Sequence, residues 1–73
     1  MATPWPTEDP GLSRAERREL QSRLIRAGYD LDGKIDGVIG TRTRQAISDL
    51  QRRMGTEVNG RASQSVLNAL RAQ

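Results

Sequence analysis

Three carboxylates lie in one short stretch, Asp30, Asp32 and Asp36, and the first chemistry they suggest is calcium binding. An EF-hand loop needs oxygen ligands at positions 1, 3 and 5 and a bidentate Glu at position 12. Numbering from Asp32 puts Lys34 at position 3 and Thr43 at position 12; numbering from Asp30 puts Lys34 at position 5 and Thr41 at position 12. Both registers place an ammonium inside the loop and a hydroxyl where the closing carboxylate belongs. With no cysteine and no histidine, thiolate and imidazole metal ligands are missing too. The expectation is no metal and no cofactor.

Catalysis by this chain alone is disfavoured on the same grounds. The commonest general base and the commonest nucleophile are both missing. A glycosidase needs two carboxyls facing each other across a cleft. Here the acids fall on turns and helix surfaces, in a chain too short to enclose a deep one.

The remaining chemistry is cationic. Twelve basic residues stand against nine acidic ones, and all but Lys34 are arginine. Arginine grips carboxylates and phosphates with a planar fork. The net charge of +3 suits an acidic partner, and it suits a merely soluble surface equally well.

These side chains must be positioned by very little protein. The 73 residues make one domain. A domain this small buries only about 60% of the surface its unfolded chain exposes, so its helices must be well terminated. Residues 1–11 read as a Pro-rich linker, with Pro4, Pro6 and Pro10 opposing regular structure, and residues 12–73 as the domain. Trp5 is expected to dock on that domain. No run approaches the length of about 20 apolar residues that spans a bilayer, so membrane insertion is not expected. Residues 1–10 lack the apolar core of a signal peptide, so any export signal is expected upstream.

Three helices follow from local signals. Ser13-Arg14-Ala15-Glu16 is a capping box that starts the first helix. Leu20, Leu24 and Ala27 make its apolar stripe, Ile25 widens it, and Gly28 ends it. Asp32-Gly33 and Asp36-Gly37 are turn dipeptides in the loop that follows, with Ile35 and Ile39 as its expected anchors. The second helix is expected from about Thr41 to Met54, burying Ala46, Ile47, Leu50 and Met54, and closed by Gly55. Val58 should then dip inward before the turn Asn59-Gly60. The third helix is expected from about Gln64 to Ala72, capped by Ser63, with Val66, Leu67 and Leu70 inside.

The chain also repeats itself. Asp36-Gly37 precedes the second helix and Ala46-Ile47 lies within it; Asn59-Gly60 precedes the third and Ala69-Leu70 lies within it, at the same spacing. Leu20-Gln21 likewise matches Leu50-Gln51. The fold class is therefore all-α: a small three-helix bundle with an internal turn–helix repeat.

Together these residues resemble the type 1 peptidoglycan-binding domain. The resemblance is carried by Leu20-Gln21, Gly28-Tyr29, the run Ile35-Asp36-Gly37-Val38-Ile39-Gly40-Thr41-Arg42-Thr43, then Ala46-Ile47, Leu50-Gln51, Gly55 and Asn59-Gly60. Departures concentrate in the second repeat: Asn59 stands for Asp, Ser63 for Gly and Val66 for Thr, and Leu50 replaces the usual Phe. Pro4-Trp5-Pro6 and the stretch Leu12 to Arg17 look like the junction that precedes such a module in some lytic murein transglycosylases.

The resemblance implies a non-catalytic, monomeric module of the periplasm or cell envelope. It would hold a glycan strand or stem peptide of murein for a catalytic domain upstream in the same chain. Such a ligand offers sugars, amides and carboxylates. The expected groove is built from Tyr29, Asp36, Gly37, Ile39, Gly40, Thr41, Thr43 and Arg44, around the start of the second helix, where free N–H groups favour anions. Gly37 and Gly40 would let a ligand approach the backbone. Arg42 and Arg44 would meet a carboxylate, and Arg44→Ala is expected to weaken binding to sacculi with little change in melting temperature.

Each assignment has a purely structural counterpart. Asp36 can tie down its own turn, the glycines can serve unusual backbone angles, Thr43 can cap the second helix, and Tyr29 can be core. Two other functions compete. A basic three-helix domain can bind nucleic acid, but here arginines are spread over all three helices and not gathered on one recognition helix. A folded spacer without ligand is the other.

Overall fold

The computed structural model describes residues 11–73. The docking expected of Trp5, and all of the expected linker except Gly11, lie outside them. Three helices make up the regular structure of the described residues: α1 (Arg14–Arg26), α2 (Thr41–Met54) and α3 (Gln64–Arg71). None is long and apolar enough to cross a membrane.

The helix ends are where the local signals place them. The Ser13 hydroxyl accepts the Glu16 N–H at 3.2 Å, and the Glu16 carboxylate accepts the Ser13 N–H at 3.0 Å, which completes the capping box. At the other end of α1 the Gly28 N–H donates to the Ile25 carbonyl and the Tyr29 N–H to the Leu24 carbonyl. This pair of bonds needs a left-handed residue, which Gly28 supplies with φ 99°. Gly55 does the same for α2.

The core is one cluster. Leu20 and Leu24 of α1, Ala46, Ile47 and Leu50 of α2, and Val66, Leu67 and Leu70 of α3 are buried together with Leu12, Leu31 and Ala62. Each large aliphatic side chain taken out of water contributes about 1.5–3 kcal/mol. α1 packs on both other helices. The Arg71 guanidinium also grips Glu19 of α1 with two bonds of 2.8 Å, which ties the end of α3 back to α1.

Three apolar residues are placed differently from their expected positions. Met54, Val58 and Ile35 are 42%, 43% and 44% exposed. Met54 lies on the last turn of α2, at the rim of the core. Val58 gives up the inward place to Ala62, which is fully buried. In the first loop Leu31 and Ile39 are the anchors, and Ile35 is not. Asp32 and Gly33 both have positive φ, and the Lys34 N–H closes the turn on the Leu31 carbonyl. That tight reversal sends Leu31 inward and leaves Ile35 on the outer strand of the loop.

Candidate binding groove at the start of α2

A buried glutamine organises the approach to α2. Gln21 accepts the Gly37 N–H at 2.8 Å through its side-chain oxygen. Its amide nitrogen donates to the Val38 carbonyl at 3.0 Å and reaches the Thr43 hydroxyl at 3.3 Å. The Asp36 carboxylate turns back to accept the Val38 N–H at 2.9 Å. Arg17 adds a 2.7 Å bond to the Gly37 carbonyl and one of 2.9 Å to that of Leu12. These bonds tie the turn to α1 from both its donor and its acceptor sides.

The outer side of the same turn is open. Gly40 precedes α2 with extended backbone and gives it no side-chain cap. A Cβ at this position would meet nothing within 4 Å. The first N–H groups of α2 therefore border a shallow groove of about 340 Å³. Val38 supplies its apolar surface, with the buried Leu31 beneath, Lys34 and Arg42 its positive charge, and Thr41 a hydroxyl. Val38 is 62% exposed. The pairing of Arg42 with Asp30 is long, at 3.5 Å, and solvent-exposed on both sides, so it restrains Arg42 little. The Val38 N–H holds the Asp36 carboxyl below its ordinary range, with Gln21 adding to the effect. Asp36 is thus an anion that secures its turn and a poor proton donor. The groove is equipped to hold a polar, partly anionic ligand.

The expected site residues divide. Asp36, Gly40, Thr41 and Thr43 line the groove. Thr43 is buried there as an acceptor for Gln21 and does not cap α2. Gly37 faces α1 instead of an open surface: a Cβ on it would lie 2.8 Å from Cγ of Arg14 and 3.2 Å from the Arg14 carbonyl. Ile39 packs against the core. Tyr29 also packs on the core, accepts a bond from Arg53, and lines a neighbouring hollow with Asp30, Gln45 and Arg42. Arg42 is common to both depressions. Arg44 is only 6% exposed and donates to the Gly60 carbonyl at 3.3 Å, so its guanidinium serves the second turn. Gln21, Leu31, Lys34 and Val38 line the groove in addition to the expected residues. The one signal for Gln21 was its recurrence as Gln51.

Residues 13–70 match the family described as "Putative peptidoglycan binding domain". The chain belongs to this family. Among solved structures, this peptidoglycan-binding domain is similar to part of SltB3 from Pseudomonas aeruginosa in complex with NAG-anhNAM-pentapeptide. The TM-score is 0.77 at 43% identity, over 92% of this chain and 18% of that one. The structure of SltB3 with NAG-NAM-pentapeptide gives 0.76 at 41% identity, over 90% of this chain and 17% of that one. The domain thus spans less than a fifth of the SltB3 chain. The curated proteins contain no match.

Proposed function

We propose that this domain holds murein without cutting it and targets an attached lytic transglycosylase to the cell wall. The groove at the start of α2 is its contact surface. One observation carries the reading: the groove flanked by Lys34 and Arg42 combines an uncapped helix start with basic side chains. A carboxylate of the stem peptide would sit at the helix start, where N–H groups and the helix dipole favour negative charge. Val38 would lie under an apolar face of the ligand. The similarity to SltB3 supports a catalytic domain elsewhere in the parent chain and a place in the cell envelope. A shallow, open groove orders few partners, so the affinity of a single domain is expected to be low.

The test is an NMR titration with soluble muropeptides, followed by pull-down on purified sacculi. Backbone amides from Val38 to Arg44 should shift on titration. A double variant Lys34→Ala, Arg42→Ala should retain its melting temperature and lose several-fold in pull-down. If those amides stay in place and the double variant binds sacculi as before, the groove is not the murein site.

A further inference from the structure

The second turn–helix unit builds a counterpart of this groove. Gln51 accepts the N–H groups of Asn59 and Gly60, each at 3.0 Å, and donates to the Asn59 carboxamide oxygen at 2.9 Å. That oxygen also takes the Arg61 N–H at 2.9 Å, as Asp36 takes the Val38 N–H. A depression of about 260 Å³ lies on the outer side. Gln51, Asn59, Ser63, Ser65 and Val66 line it, at the places that Gln21, Asp36, Gly40, Arg42 and Thr43 hold in the first groove.

The two grooves differ in charge. Glu57, two residues before Asn59, stands where Lys34 precedes Asp36, and Ser65 stands in place of Arg42. Asn59 replaces the carboxylate of Asp36. The start of α3 has one N–H group fewer to offer an anion, because the Ser63 hydroxyl already takes the Val66 N–H at 3.3 Å. What the second groove offers is one carboxylate, Glu57, a set of neutral polar groups, and an apolar wall from the half-exposed Met54.

We propose that this groove is a second binding site, specific for an alkylammonium group such as the side chain of a lysine-like residue in a peptide. The aliphatic stem lies along Met54, and the ammonium meets Glu57, with the Ser65 hydroxyl as a further oxygen acceptor. The charge reversal relative to the first groove is the basis of the preference, and the site does not depend on what the first groove binds. A peptide bearing both a carboxylate and an amine would then find opposite polarity on the two turn–helix units.

The probe is Nα-acetyl-lysine N-methylamide, a cation with no carboxylate, titrated into the 15N-labelled chain. The norleucine analogue, which keeps the stem and lacks the charge, is the control. The lysine probe should shift the amides of Thr56 to Ser65 in a saturable way. Its affinity should exceed that of the norleucine analogue by roughly fivefold, as befits one exposed ion pair. Glu57→Gln, at an exposed position, should erase the difference between the two probes. Equal affinity for both probes, shifts located elsewhere, or an unchanged preference in Glu57→Gln would each overturn the proposal. Muropeptide shifts at Val38 to Arg44 are read separately, so either groove can fail without the other.

Discussion

Gln21 and Gln51 occupy equivalent places in the two turn–helix units. Each sets its side-chain oxygen on the N–H of a left-handed glycine, Gly37 at 2.8 Å and Gly60 at 3.0 Å. A carboxamide suits this post because one end accepts and the other donates, so a single side chain satisfies both polarities of a turn.

Replacing that amide should be costly. Gln21→Ala leaves the buried Gly37 N–H without its partner and removes a donor from the Val38 carbonyl. A loss of about 2–3 kcal/mol in unfolding free energy is expected. Urea denaturation of the variant measures it, and a loss under about 0.5 kcal/mol would mean that the turn stands without Gln21.

Arg44 carries a revised expectation. Its burial and its bond to the Gly60 carbonyl make Arg44→Ala a stability variant. The cost should be about 2 kcal/mol or more, from lost packing and a stripped carbonyl. A melting temperature equal to that of the parent would instead return Arg44 to the list of surface cations.

Gly40 separates folding from binding. Its backbone is extended and its surroundings are empty, so serine fits there as Ser63 fits before α3. Gly40→Ser should stabilise the domain by a few tenths of a kcal/mol, by capping α2. The same cap occupies an N–H group that borders the groove, so muropeptide binding should fall. A variant that is both more stable and equally good at binding sacculi would show that the helix start takes no part in recognition.

Acid sensitivity should trace in part to Glu19. Bonds from Arg71 and then Arg23 lower its pKa from 4.5 to about 2. The folded state thus favours the carboxylate more than the unfolded chain does. That contribution is complete above about pH 4.5 and is lost as pH falls toward 2. Asp36 shifts in the same direction and adds to the effect. Glu19→Gln should flatten the stability profile across this window without flattening it fully. A parallel profile, merely offset, would assign the acid sensitivity elsewhere.

What the amino-acid order determined by itself was local. Helix starts, stops and turns rest on bonds between residues a few positions apart, such as Ser13 with Glu16 and Tyr29 with Leu24. Residue type and spacing are enough to specify those, and the repeated Leu-Gln and Gly positions were legible for the same reason. Tertiary structure decided which side of each element met a neighbour. Gly37 lies against Arg14, some two dozen residues away in the chain, so its lack of a side chain serves helix packing. Arg44 finds its carbonyl 16 residues further along, and Leu31 takes the inward place expected of Ile35. A helical or turn pattern gives the spacing of a face. Only the packed neighbours settle whether that face meets water, a carbonyl or a core, because burial depends on contacts that sequence spacing does not encode.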